Sequence, residues 1–107
     1  MDARQAARVA SEGATIVSGY FDPMLASHAE RLASLKTNRK LLVLIETPER
    51  AILPAEARAE LIAGLRAVDY VALADATLMP HVRLEEEDDE RYRKLLAHVH
   101  ARQQAVS

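Results

Sequence analysis

The chain has 107 residues, no cysteine and a formal net charge of −2, and half of its residues are hydrophobic. This length and composition predict a single globular domain. The lack of cysteine excludes disulfides, thiolate metal sites and a Cys nucleophile, and the small charge gives no electrostatic basis for binding nucleic acid or an anionic membrane. With no apolar run of about 20 residues and no signal-peptide pattern, we expect a cytoplasmic protein.

Helical and extended patterns alternate in the first part of the chain. Residues 3–10 predict a short helix, and the β-branched, apolar run over 14–21 predicts a strand. Asp22 followed by Pro23 predicts the start of a second helix, because Asp caps free N–H groups and Pro suits the first helical position. The residues that recur at helical spacing before the helix ends near residue 37 are Leu25, His28 or Ala29, Leu32, and Leu35 or Lys36.

The alternation continues to the end of the chain. The apolar run over 40–46 predicts a strand that is covered on both faces. A helix over 53–68, a strand over 69–75, a marginal strand over 81–85 and a final helix over 87–103 follow. The residues that form one apolar stripe on the helix over 53–68 are Ala57, Leu61, Ile62, Leu65 and Val68. Strands that alternate with helices form right-handed crossovers and a parallel sheet. We therefore predict one Rossmann-like, three-layer α/β domain over residues 1–107.

Residues 18–28, SGYFDPMLASH, lie where the first strand leads into the second helix. Ligands of open parallel sheets bind beyond the carboxyl ends of the strands, which is where this stretch lies. Gly19 would allow a ligand to approach the backbone, and a helix that begins at Pro23 would offer free N–H groups to a phosphate. His28 would add a donor. The residues therefore predict an anion or nucleotide site.

Two segments resemble a known family. GYFDPMLASH resembles the G-x-F-D-x-x-H-x-G-H signature of the cytidylyltransferase-like nucleotidyltransferases, in particular the sugar-phosphate enzymes of heptose synthesis. LPAEARAELIAGLRAVDYVALAD, over 53–75, is similar to the family's second helix and third strand. The resemblance implies that a nucleoside triphosphate with Mg²⁺ is joined to a phosphorylated acceptor and that pyrophosphate is released. The nucleotide- or phosphate-binding residues that it implies, among which His28 is catalytic and none is a metal ligand, are Gly19, Tyr20, Phe21, Asp22, His28 and Arg58.

The chain departs from the family pattern at several positions. Leu25 stands where the signature has its first His, and Ser27 stands where it has a Gly. The family's later Ser/Thr-rich phosphate-binding turn has no counterpart, so the domain is expected to be shortened at its C-terminal end. Loss of one preorganised donor costs about 10²–10³ in rate. We therefore expect a non-catalytic module that binds nucleotide or phosphate or serves in assembly; the alternative is a divergent, active nucleotidyltransferase.

Each candidate residue also has a structural interpretation. Asp22 can serve as an N-cap, Gly19 can serve the turn, and His28 can pack in the helix. Arg58 can be a solvated helix residue that pairs with a nearby Glu. The acidic run over 85–90 lacks the spacing of a Ca²⁺ loop, so it predicts a structural helix face.

A shortened domain should leave apolar surface uncovered, and such surface favours pairing with a second copy. The expected homodimer contact is the last helix, and the alternative is that this helix packs on its own sheet. The apolar residues of that helix are Tyr92, Leu95, Leu96 and Val99.

Overall fold

In a computed structural model, which describes residues 1–88 and Ala97, the strands form one parallel sheet. The strands are β1 (Thr15–Gly19), β2 (Leu41–Ile45), β3 (Tyr70–Leu73) and β4 (Val82–Arg83). Their order across the sheet is β3-β2-β1-β4, and all three neighbouring pairs are parallel. The predicted α/β class and parallel sheet are confirmed. The fourth strand has two residues only, because residues 84–88 are helical.

The helices of the described chain precede each of the first three strands and follow the last. They are α1 (Ala3–Ser11), α2 (Ala26–Leu35), α3 (Ala55–Ala63) and the helical segment over 84–88. A capping box begins α1: Asp2 accepts a hydrogen bond from the Gln5 N–H, and the Gln5 side chain accepts one from the Asp2 N–H. Within the described part of the chain, no helix is long and apolar enough to cross a membrane.

The order of the strands places a topological switch point between β1 and β4. The chain leaves β1 for β2 on one side and later returns to β4 on the other side of β1. Val82 and Arg83 pair with Val17 and Ser18, so β4 lies beside the carboxyl half of β1. In open α/β sheets, ligands bind in the crevice at such a point. The end of β1 and the helical segment over 84–88 meet there.

The sheet is covered on both faces, as predicted. One face packs against α2 and α3 in a core that contains Val17, Phe21, Leu32, Val43, Ile62 and Leu84. The other face packs against α1 in a core that contains Ala6, Ile16, Leu42, Leu44 and Ala72, with Leu78 beside it. Because β1 and β2 carry apolar residues toward both layers, they read as continuous apolar runs in the sequence.

The second helix does not begin at Pro23, so that prediction is wrong. It begins at Ala26, and the exposed Leu25 occupies its N-cap position without a side-chain cap. The Asp22 carboxylate cannot cap α2, because it accepts hydrogen bonds from the loop before α3 instead. A tertiary partner has therefore overridden a local Asp-Pro start signal.

The third helix is shorter than the predicted 53–68. It ends at Ala63, and the chain continues through turns in which Leu65 and Val68 still pack against the core. Leu61 was predicted to lie on the buried stripe, but about half of its surface is exposed. Of the final helix predicted over 87–103, only residues 87, 88 and 97 are described. The predicted dimer contact of Tyr92, Leu95, Leu96 and Val99 lies outside the described residues.

Candidate functional site at the first strand–helix junction

Gly19 ends β1 at a place where its own chain folds back over it. Phe21 has a φ of 50° and is 1% exposed, so its ring is turned into the core rather than toward solvent. A Cβ atom at Gly19 would lie 2.6 Å from the Cζ atom of the Phe21 ring. The open space that was predicted for an approaching ligand is therefore filled by Phe21.

Asp22 anchors a distant loop. Its two carboxylate oxygens accept hydrogen bonds from the backbone N–H groups of Ile52 at 2.6 Å and Leu53 at 2.8 Å. The bond from Ile52 lowers the pKa of Asp22 below its ordinary 3.8, and the bond from Leu53 and the charge of Arg58 act in the same direction against desolvation. Asp22 thus stays ionised and holds the segment that leads into α3.

His28 lies in the first turn of α2 with both ring nitrogens engaged. Its Nδ1 atom accepts a hydrogen bond from the Leu25 N–H at 2.9 Å, so Nδ1 carries no proton. The proton of the neutral ring is then on Nε2, which donates to the Asp88 carboxylate at 2.9–3.0 Å. The ring also meets the edge of Phe21, with centroids 5.4 Å apart. A ring in this arrangement orients α2 and has no free nitrogen for a substrate.

Arg58 is fully buried, so its interpretation as a solvated helix residue is wrong. Nη1 donates to the carbonyl oxygens of Tyr20 at 2.8 Å and Glu46 at 2.7 Å. Nε donates to the Leu53 carbonyl at 3.1 Å, and Nη2 donates to the Thr47 hydroxyl at 3.2 Å. The guanidinium group therefore joins the ends of β1 and β2 to the start of α3, because it binds the backbone that leaves both strands.

The helical segment over 84–88 closes the switch point from the side of β4. Ser18 is fully buried, and its hydroxyl lies 2.8 and 2.9 Å from the two carboxylate oxygens of Glu85, to which it donates its one hydrogen. Arg83 adds a longer ion pair of 3.8 Å to Glu85. Leu84 is buried in the core of the α2 face. These contacts fix the segment against the carboxyl end of β1.

Two further carboxylates of the same segment contact α2. Glu87 accepts hydrogen bonds from the Nε atom of Arg31 at 3.0 and 3.3 Å, and Asp88 accepts the bond from His28. Glu85, Glu87 and Asp88 therefore make structural contacts, as predicted for the acidic run, whereas Glu86 is exposed and residues 89 and 90 lie outside the described chain. No spacing rule in the sequence could have paired Ser18 with Glu85, because 67 positions separate them.

An open cavity of about 320 Å³ lies beside this junction, beyond the carboxyl ends of β2 and β3. Its wall includes Glu46, Asp75, Leu78 and Arg83. The Asp75 carboxylate accepts hydrogen bonds from the hydroxyl and the N–H of Thr77, which lower the pKa of Asp75. No motif in the sequence marks these residues as a site. Among residues 1–88 and Ala97, no three His, Asp or Glu side chains converge as a metal ion requires.

The structure thus brings all six predicted site residues into one set of internal contacts. Asp22 binds the loop before α3, and the Tyr20 carbonyl binds Arg58 of α3. Gly19 leaves room for the Phe21 ring, and His28 binds Asp88 of the helical segment over 84–88. Arg58 completes the set. The polar groups through which these side chains would hold a magnesium-bound triphosphate are already bonded within the chain, so they do not fit that ligand in this conformation. No protein-family model, curated protein or solved structure matches the chain.

Proposed function

We propose that this chain is a nucleotidyltransferase-like module that lacks nucleotidyl transfer and acts in binding or assembly. The observation that carries the proposal is that the side chains of Asp22, His28 and Arg58 are all hydrogen-bonded within the chain. Asp22 accepts from backbone N–H groups, whereas His28 and Arg58 donate. A phosphoryl-transfer catalyst needs donors that are preorganised toward the charge that develops in the transition state. Here Arg58 donates to backbone carbonyls and His28 donates to the Asp88 carboxylate instead.

The two altered signature positions support the same conclusion. Leu25 has no hydrogen-bonding side chain and is 54% exposed, and Ser27 is exposed in the first turn of α2. Neither contributes a donor comparable to the signature His. With about 10²–10³ in rate at stake for each lost donor, the alternative of an active nucleotidyltransferase would need other residues to supply the stabilisation.

Calorimetry of the full chain against each of the four nucleoside triphosphates with Mg²⁺ tests the proposal, together with an assay for pyrophosphate release. We expect no release above a protein-free blank and no saturable binding at millimolar nucleotide, which would leave assembly as the role. Saturable binding without release would make the role nucleotide binding. The variant His28→Ala is the control, because an active site would lose turnover with it. Pyrophosphate release by the wild-type chain that His28→Ala abolishes would establish the alternative, a divergent nucleotidyltransferase.

For the assembly role, we propose a second copy of this chain as the partner. Ile52 is 76% exposed and Leu25 is 54% exposed, and Asp22 ties together the two segments that carry them. Apolar side chains this exposed favour burial against another surface. Sedimentation velocity over a concentration series measures the association directly. We expect the average mass to rise with concentration, and a monomer throughout would contradict the dimer.

A further inference from the structure

Three polar or basic side chains near the first strand–helix junction, those of Ser18, His28 and Arg31, are each bonded to an acidic residue of the segment over 85–88. His28 and Arg31 lie three positions apart in α2, so their side chains share one face of that helix. Asp88 binds the first at 2.9 Å and Glu87 binds the second at 3.0 Å. A third acid, Glu85, is held by the buried Ser18 hydroxyl. Glu85 also pairs with Arg83, so each of the three acids contacts at least one donor.

This matching occurs at the place where an open parallel sheet binds its ligands. Ser18 lies at the carboxyl end of β1, and the helical segment over 84–88 follows β4, so the contacts fill the crevice at the switch point. Carboxylates and phosphates make the same kinds of hydrogen bond to Arg and His donors. A phosphate oxyanion would therefore compete with Glu87 and Asp88 for the same atoms.

We propose that the acidic segment (residues 85–88) is an internal anion that masks a phosphate-binding surface formed by His28 and Arg31. Glu85 anchors the segment through Ser18, since both residues are buried, and Glu87 and Asp88 occupy the donors. The surface takes a polyphosphate or phosphomonoester group when the mask moves away. The inference rests on the proposed function, because it requires that the wild-type chain leaves these donors engaged.

The division of roles follows from exposure. Glu85 is 8% exposed, whereas the side chains of Glu87 and Asp88 are 34% and 27% exposed. An anchor at Glu85 keeps the segment near the junction. The Arg31–Glu87 ion pair is partly exposed on both sides, at 37% and 34%, and such pairs contribute little net stability. The His28 side chain is buried, at 6% exposure, and loses one hydrogen bond when Asp88 is removed, which is also a small part of the stability of the domain. Removing the outer acids should therefore unmask the surface without unfolding the domain.

The test uses the full chain with Glu87→Ala and Asp88→Ala together, titrated with inorganic pyrophosphate by calorimetry at low ionic strength. We expect binding at least roughly tenfold tighter than that of the wild-type chain, since two repelling charges are lost and two donors are freed. The matched control is Glu30→Ala with Glu86→Ala. It makes the same change in net charge at two exposed residues of α2 and the acidic segment. An equal gain in the control would overturn the mask, because the effect would then come from net charge alone.

Two additional variants locate the bound ion and guard against misfolding. Adding Arg31→Gln to the Glu87→Ala, Asp88→Ala variant should remove most of the gain in pyrophosphate affinity. The ring ¹⁵N signal of His28 should shift when pyrophosphate is added to that variant and should not shift in the wild-type chain. If the alanine variant does not fold, Glu87→Gln with Asp88→Asn keeps the hydrogen-bond acceptors while removing both charges, and it should show a smaller gain. No gain in any folded variant overturns the proposal. Pyrophosphate release by the wild-type chain is scored separately, so failure of the proposed function is distinguished from failure of the mask.

Discussion

Gly19 and Phe21 fit together because the glycine has no side chain: a Cβ atom at position 19 would lie 2.6 Å from Cζ and 2.7 Å from Cε2 of the Phe21 ring. Phe21 is 1% exposed and belongs to the core of the α2 face. The ring has little room to withdraw, because protein cores are close-packed. The glycine of the signature stretch is thus required by packing.

Gly19→Ala should therefore destabilise the domain by about 1–3 kcal/mol, the usual cost of forcing an extra carbon into a packed core. The free energy of urea-induced unfolding measures the effect. Gly64→Ala is the control, since φ at Gly64 is −75° and a Cβ there would lie 3.4 Å from the Leu61 carbonyl oxygen and 3.9 Å from that of Glu60, which are ordinary contact distances. If Gly19→Ala unfolds at the same urea concentration as Gly64→Ala, the packing explanation is wrong.

Arg58 should be one of the most sensitive positions in the chain. Arg58→Ala removes the charged donor that binds the part-buried carbonyls of Tyr20, Glu46 and Leu53, and each hydrogen bond to a charged group contributes about 1.5–3 kcal/mol. We expect a loss of about 3 kcal/mol or more of unfolding free energy.

The lysine variant and an exposed arginine make this prediction specific. Arg58→Lys keeps the charge, but a single ammonium group cannot donate to all of the carbonyls that the guanidinium group binds. It should therefore recover only a small part of the lost unfolding free energy. Arg66→Ala, at an exposed position, should change stability by less than about 0.5 kcal/mol. Full stability of Arg58→Lys would show that charge alone, and not the network of carbonyls, accounts for the role of Arg58.

The sequence predicted the sheet well because its signal is local. β1 and β2 are buried on both faces of the sheet, so each appears in the sequence as a largely apolar run. About five or six consecutive residues are enough to recognise such a run. The contacts of the junction are not local: Asp22 binds Ile52, Arg58 binds Tyr20 and His28 binds Asp88. Partners separated by 30 to 60 positions leave no periodic pattern, so the sequence could nominate these residues but could not show what they bind.

The error at the start of α2 has the same origin. Asp-Pro is a local start signal, and the propensity behind it is a weak preference that tertiary contacts override. The Asp22 carboxylate accepts hydrogen bonds from two backbone N–H groups of the loop before α3, so it does not cap α2, and α2 begins at Ala26.

Acid should weaken the domain through Asp22 and Asp69. The hydrogen bond from Ile52 lowers the pKa of Asp22, and the hydrogen bond from the Lys36 ammonium group lowers the pKa of Asp69, both from an ordinary 3.8. A carboxyl group whose pKa is lower in the folded state stabilises that state above the unfolded pKa, and the contribution is lost as pH falls through the folded pKa. Unfolding free energy should therefore fall with decreasing pH below about pH 4.

Variants separate these two carboxylates from general acid effects. Asp22→Asn and Asp69→Asn should each be less stable than the wild-type chain at pH 7 and should show a shallower loss of stability in acid, measured by urea unfolding across the pH range. Glu86→Gln, at an exposed position, serves as the control. An acid dependence as steep in the two Asn variants as in the wild-type chain would mean that other groups govern it.

The His81 side chain should stabilise the beginning of the β1–β4 pairing, because its Nδ1 atom accepts a hydrogen bond from a β1 N–H group, as a backbone carbonyl of a paired strand would. The Ile16 N–H donates to Nδ1 of His81 at 2.9 Å, and the His81 N–H donates to the Ile16 carbonyl at 2.8 Å, one step before Val17 pairs with Val82. His81→Ala removes the acceptor of a part-buried N–H, so it should cost about 1 kcal/mol of unfolding free energy and speed hydrogen exchange at the Ile16 amide. His81→Asn presents a side-chain oxygen at a similar reach and should recover part of both effects. If the Ile16 amide exchanges at the same rate in the wild-type and His81→Ala chains, the imidazole does not protect it, and β4 is held to β1 by its backbone pairing and by the Ser18–Glu85 bond without help from His81.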